Sequence, residues 1–192
     1  MRQNLRIAIL MTLVTTVLFG LLYPLTVTGL GQFFFPSQAN GELIMKNGQI
    51  VGSHLIGQPF SSDFYFHPRP SAAGYGYDPV AASGGASNLG PTNRQLLDRV
   101  KGDVEKLHAE NPNSPIPIDL VTTSGSGLDP DISPAAAEFQ IPRVAKARHV
   151  TEKQMQELVA KHTLGRQFGI FGEARVNVLE LNLDLDATYP KL

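Results

Sequence analysis

The chain has 192 residues, 42% of them apolar and only 17% charged, enough for one domain of ordinary size with a packed core, and too apolar for wholesale disorder. Its net charge of −1 excludes the basic stripe that nucleic-acid binding needs. Cys is absent, which removes disulfides, thiolate metal sites and Cys nucleophiles without assigning a compartment.

The first element is a membrane span. Arg2 and Arg6 precede a stretch from Ile7 to Gly41 with no charged residue and no His. Its densest part, Ile7 to Val27, would make a helix of about 31 Å at 1.5 Å per residue. A hydrocarbon core is roughly 30 Å thick, and one charge at its centre costs about 3 kcal/mol, so the purity of the stretch is informative. Thr12, Thr15 and Thr16 are tolerable because a helical Thr can bond its hydroxyl to a carbonyl one turn back. Pro24 falls near the outer end, where a kink does least damage. Small and hydroxyl residues permit close helix approach, so Thr12, Thr15, Thr16 and Gly20 are the candidate contacts to a neighbouring membrane helix.

Both basic residues of the N-terminal flank precede the span, and 14 basic against 17 acidic residues follow it. The positive-inside rule then expects a cytoplasmic N-terminus and an extracytoplasmic remainder. A cleaved signal peptide also begins basic, and Ser37-Gln38-Ala39 has a small-x-small look, but the apolar stretch exceeds the usual 7–15-residue core. A retained anchor is the better reading. The expected organisation is a short cytoplasmic N-terminus (1–6), a transmembrane helix (7–27), a membrane-exit segment (28–41) and an extracytoplasmic domain (42–192).

Within that domain, Leu43 to Val51 reads as a hairpin turning at Asn47-Gly48, a type I′ dipeptide. Gly52 to Pro91 is rich in Gly, Pro, Ser and aromatics, an irregular region pinned by buried rings or, in another reading, a small-solute site between Phe60 and Tyr77. Thr92 and Gln95 have capping-box spacing, and Leu97, Val100, Val104 and Leu107 form the apolar stripe of a helix ending at Asn111-Pro112. Ile118 to Thr123 reads as a strand. Ser133 can cap a helix with Pro134 in its first turn, which Pro142 is expected to break or restart. Thr151 and Gln154 open another helix, ending near Gly165. Leu179, Leu181, Leu183 and Leu185 alternate with polar residues, the pattern of a half-buried strand. The fold class expected is a single N-terminal transmembrane helix followed by an α+β domain with a small mixed sheet.

Catalytic chemistry is thin. His54, His67, His108, His149 and His162 show no ligand spacing, and His149 and His162 are expected on helix surfaces, so no metal site is assigned. Gly74-x-Gly76 and Gly125-x-Gly127 lack the third glycine of a dinucleotide fingerprint. Ser126 has Ser124 where a nucleophile elbow needs glycine. Asp129, Asp131, Asp184 and Asp186 suit turn chemistry and the wet face of a strand better than an acid–base pair. An anchored hydrolase using Ser126 or an Asp pair is the enzymatic alternative.

Several Gly-rich segments carry more pattern than spacers need: Phe66-His67-Pro68-Arg69-Pro70-Ser71-Ala72, Ser83-Gly84-Gly85-Ala86-Ser87-Asn88-Leu89, Asp119 to Asp129, Ile132 to Ala136, Arg143 to Arg148, and Arg175 to Leu183. In this order behind one membrane helix, they closely resemble the C subunit of the bacterial Kdp potassium-transporting ATPase, from Tyr23-Pro24 to Leu185-Asp186. Ala86 departs from the family pattern by standing between Ser83-Gly84-Gly85 and Ser87-Asn88-Leu89. The resemblance implies a non-catalytic accessory subunit of a high-affinity potassium uptake pump in the bacterial inner membrane. Its implied partners are a channel-like potassium-translocating subunit, a P-type ATPase subunit that hydrolyses ATP, and a small membrane subunit. It also implies a role in stabilising the assembly and, in one proposal for the family, a catalytic chaperone that raises ATP affinity, with Ser83, Gly84 and Gly85 as the ATP-related loop. The charge flanks place that loop opposite cytoplasmic ATP, and no helix N-terminus follows it directly to favour phosphate. ATP is accordingly expected to act through the ATPase subunit, with no cofactor held firmly by this chain.

Overall fold

The computed structural model describes residues 1–73 and 86–191. The apolar N-terminal stretch forms α1 (Arg2–Thr15) and α2 (Tyr23–Phe34), joined without a break by a π-helical stretch, Thr16–Leu22. Together they make a 33-residue helix of mean hydropathy 2.2, long and apolar enough to cross a membrane. The π stretch sits directly ahead of Pro24, and the Tyr23 N–H reaches back five residues to the Leu18 carbonyl. Pro24 has no N–H for the Gly20 carbonyl, and its ring crowds that oxygen; widening the preceding turn relieves the clash without breaking the helix. Thr15 Oγ1 donates to the Met11 carbonyl at 2.8 Å, which hides its polar group inside the helix.

A single turn, α3 (Pro36–Ala39), leads to the hairpin of β1 (Leu43–Lys46) and β2 (Gln49–Ser53). Asn47 and Gly48 both have positive φ (53° and 77°), as the type I′ reading requires. The chain divides into two compact units, Met1–Val51 and Gly52–Leu192.

The second unit is built from α4 (Arg94–Glu110), β3 (Asp131–Ile132), α5 (Pro134–Arg148), α6 (Glu152–His162), β4 (Thr163–Leu164), β5 (Arg175–Asn177) and α7 (Val178–Thr188). An antiparallel three-stranded sheet in the order β3-β5-β4 pairs Ile132 with Val176 and Thr163 with the same Val176. This is the α+β class expected, with a small sheet. Helices α5, α6 and α7 share one core in which Phe66, Ala136, Val144, Met155, Val176, Leu181 and Leu185 are fully buried.

Two helix starts follow the sequence signals and a third is shifted. Ser133 accepts the Ala136 N–H with Pro134 behind it, and Thr151 with Gln154 closes a complete capping box. For α4 the cap is Asn93, which accepts the Gln95 N–H, one residue later than the Thr92 reading. Its apolar stripe is only half engaged: Leu107 packs on the core while Leu97 stays exposed.

Other expectations are corrected. Residues 179–186 are helical, because the face that matters is Val178, Leu181, Asn182 and Leu185 at helical steps, not the alternating leucines. Asn177 caps this helix by accepting the Glu180 N–H at 3.1 Å. Ile118–Leu120 is a 3-10 turn instead of a strand, closed by a Thr122 Oγ1 bond to the Ile118 carbonyl. That turn lets both Asp119 oxygens reach the Ser133 N–H and hydroxyl, at 2.7 and 3.0 Å. Pro142 neither breaks nor restarts α5. An interior proline costs about 3 kcal/mol, and burial of Ile141, Val144 and Ala145 around it outweighs that. Helix α6 ends at His162, three residues short of Gly165.

Candidate functional site

Two polar constructions in the second unit use the segments singled out by the sequence. The first pins the Asp63–His67 loop to the helices. Arg148 has a fully buried side chain: Nε donates to the Phe64 carbonyl, Nη1 to the Tyr189 carbonyl and Nη2 to Asp186, at 2.9, 2.9 and 2.7 Å. Its guanidinium also lies 5.1 Å from the Tyr65 ring centre. Arg143 bonds the Asp63 and Tyr65 carbonyls and pairs with Glu110 at 2.8 Å. Asn182 and Gln140, both buried, grip the Phe66 and His67 backbones from opposite sides; each accepts an N–H and donates to a carbonyl. An irregular loop carries backbone groups that no ladder satisfies, and these four side chains supply the missing partners.

The charge balance follows from this packing. Burial pushes the Asp186 carboxyl upward, and hydrogen bonds from Arg148 and Tyr65 more than offset it, leaving the group below its ordinary range. His67 is held below its usual value by burial, then by the neighbouring Arg143 charge.

The second construction is an open cleft of about 730 Å³ between the Ile118–Leu120 turn, β3, the start of α5 and the Gly172–Arg175 segment. Arg69 pairs with Asp129 at 3.0 Å and Arg175 with Asp131 at 3.1 Å along its wall. Burial raises the Asp131 carboxyl above its usual range despite Arg175. Ser71 Oγ donates to the Gly127 carbonyl, joining the Phe66–Ala72 and Asp119–Asp129 segments. The cleft brings four of the patterned segments together, and its charges are arranged as structural pairs.

The expected chemistry is distributed as follows. Ser126 Oγ accepts the Leu128 N–H at the surface, the work of a turn residue. Asp129 and Asp131 line the cleft, each paired with an arginine, whereas Asp184 and Asp186 lie apart from them on α7. Asp184 accepts from Lys161 and His162 at 2.7 and 2.8 Å, and those bonds lower its carboxyl to about 2. His149 is exposed, in the left-handed conformation that ends α5, but His162 is half-buried against Asp184. Among the described residues no three His, Asp or Glu side chains are grouped to hold a metal. Phe60 meets Tyr65 in a tilted ring contact at 5.3 Å, both pack against the core, and Phe66 is fully buried within it. Ser83, Gly84 and Gly85 lie outside the described residues, as do Gly74, Gly76 and Tyr77. Thr12, Thr15, Thr16 and Gly20 lie on the membrane helix, the last two within its π stretch.

Sequence reasoning missed Asn182 and Gln140, which read as a wet strand position and an unremarked helix residue. The available signal was polarity at the centre of an otherwise apolar helical face.

Comparison with known proteins supplies the remaining constraint. The chain matches the family described as KdpC, K+-transporting ATPase c chain, over residues 5–187. It is 60% identical to the potassium-transporting ATPase KdpC subunit of Koribacter versatilis, over 99% of this chain and 97% of that one. It is 54% identical to the subunit of the same name from Methylobacterium nodulans, over 97% and 98% of the two chains. The Bradyrhizobium diazoefficiens KdpC subunit is also 54% identical, with both chains covered completely. Matches this long and this close span the membrane helix, the pinned loop and the cleft alike, and the chain belongs to the KdpC family.

Proposed function

We propose that this chain is a non-catalytic accessory subunit of an ATP-driven potassium uptake pump, anchored in the bacterial inner membrane by its N-terminal helix. The observation that carries the reading is full-length similarity to potassium-transporting ATPase KdpC subunits. The paired charges of the cleft and the backbone-satisfying roles of Arg143, Arg148, Gln140 and Asn182 support it, because they describe a rigid scaffold. Its partners are a channel-like subunit, the P-type ATPase subunit that hydrolyses ATP, and a small membrane subunit. Thr12, Thr15, Thr16 and Gly20 face one of their helices.

With Arg2 and Arg6 before the span, the domain lies outside the cytoplasm. The role that fits is holding the assembly together at the outer side of the channel-like subunit. Any increase in ATP affinity then passes through the partners, with Ser83, Gly84 and Gly85 away from the nucleotide. The test uses the absence of native Cys. Lys153→Cys, exposed on α6, should react with a membrane-impermeant thiol reagent added outside spheroplasts. Labelling only after the cytoplasmic side is opened would reverse the topology. Purified alone, the chain should hydrolyse no ATP, and it should co-purify with the ATPase subunit.

A further inference from the structure

Between β4 and β5 the chain runs Arg166-Gln167-Phe168-Gly169-Ile170-Phe171-Gly172-Glu173, uncharged from Gln167 to Gly172. Three large apolar side chains at this tip stand in solvent: Phe168 is 92% exposed, Ile170 72% and Phe171 63%. The display is built, not frayed. Gln167 and Phe171 exchange both backbone bonds at 2.9 Å, the Gly169 N–H reaches the Arg166 carbonyl, and the Ile170 N–H reaches Gln167. Phe168 takes a left-handed φ of 53°, and Gly169 and Gly172 follow with 73° and 75°. At the base, Arg166 Nη2 donates to both Glu173 oxygens at 2.8 and 2.7 Å. The domain gains no core from these three side chains, and an apolar cluster held in water marks a surface that leaves water in use.

We propose that the Phe168–Phe171 tip inserts into the interfacial layer of the lipid bilayer, as a second attachment beside the membrane helix. From Phe168 to Phe171 the tip carries no polar side chain and its three large side chains are all exposed, so a deformable apolar phase can take them in together. The Gly169, Ile170 and Phe171 N–H groups are already bonded within the loop, which lowers the cost of taking its backbone into the interfacial layer. Phe and other large apolar side chains of interfacial elements bury at the boundary of headgroups and acyl chains, and the Arg166–Glu173 pair limits entry to the tip itself. The spanning helix ends at Phe34 and the domain begins at Gly52, so the tether keeps the bilayer at high effective concentration. Lipid lies on both sides, so this inference is independent of the proposed orientation.

The chain has no Trp, which makes Phe168→Trp a sole reporter at a position with little influence on folding. The full chain is reconstituted in phosphatidylcholine–phosphatidylglycerol vesicles, and the complex purified from native membranes in nanodiscs of the same lipids. Both are prepared with bromine either high or low on the acyl chains. The expected result in both, taken as the difference from the same preparation of the parent chain so that other tryptophans cancel, is blue-shifted emission, quenched more by shallow than by deep bromine and shielded from aqueous iodide. Iodide quenching without bromine quenching would overturn the proposal, and so would shielding from both quenchers in the complex, which would seat the tip on a partner protein. Phe171→Trp repeats the measurement from the other side of the turn, and unchanged circular dichroism of each variant confirms the fold being read.

Discussion

The Arg148 guanidinium meets the Asp186 carboxylate at 2.7 Å with the arginine side chain wholly out of water and the aspartate 28% exposed. The asymmetry decides what each substitution does. Removing Asp186 strands a buried cation, whereas removing Arg148 strands a carboxylate that water can still reach, together with the Phe64 and Tyr189 carbonyls. Asp186→Ala is therefore expected to destabilise the protein by about 3 kcal/mol, the scale for breaking a buried pair. Arg148→Lys should also destabilise it, because one ammonium on a flexible stem cannot serve three acceptors that a planar fork satisfies together. Thermal unfolding of the full-length variants in detergent measures both. A Lys variant melting with the parent would mean the fork geometry is dispensable.

Asp184 gives a pH dependence of definite sign. Lys161 and His162 lower its carboxyl to about 2, against about 3.9 in an unfolded chain. The folded state thus binds fewer protons, so the contribution is complete above about pH 4 and disappears as pH falls towards about 2. Solvent screening of the partly exposed cluster limits it to about 1 kcal/mol. Asp184→Asn should lower stability by that amount at neutral pH and converge with the parent in strong acid. A stability difference constant across the acid range would assign the effect to packing and not to ionisation.

The contrast between α6 and α7 shows what was legible in the chain. Thr151 and Gln154 announce α6 by a local exchange of hydrogen bonds that needs nothing from the rest of the protein. Asn177 and Glu180 have the same spacing before α7, but the Leu–polar alternation that follows mimics a strand. Only the fold decides between them, because Asn182 is required inside, gripping Phe66 from a loop 116 residues away in sequence. Asp119 is misread for the same reason: its two bonds to Ser133 fix a tight turn that propensity alone would extend. Pro142 is the converse case, a strong local breaker overruled by the burial of α5. The long apolar helix was readable because a bilayer imposes its requirement on composition directly. The pinned loop and the cleft depend on pairings over long sequence distances, for which a single chain carries no local mark.

The π stretch ahead of Pro24 leads to a prediction about the membrane helix itself. In α geometry the Tyr23 N–H would bond the Phe19 carbonyl, but it reaches Leu18 instead, because Pro24 cannot serve the Gly20 carbonyl and pushes on it. Pro24→Ala restores an N–H that can bond Gly20 and removes the ring, so the stretch Thr16–Leu22 should return to α geometry. Closing the wide turn rotates everything before it relative to everything after it by about 100°, one residue's share of a helical turn. Thr12 and Thr15 would then swing to a different side of the helix relative to its outer half. If they dock on a neighbouring membrane helix, the variant should assemble poorly although it remains helical and inserted. Carbonyl chemical shifts of Phe19 and Gly20 in bicelles report the change of hydrogen bonding, and co-purification with the ATPase subunit reports its consequence. A variant that becomes fully α-helical and assembles as well as the parent would show that the π stretch only accommodates Pro24. Partner contact would then not depend on the register of Thr12, Thr15, Thr16 and Gly20.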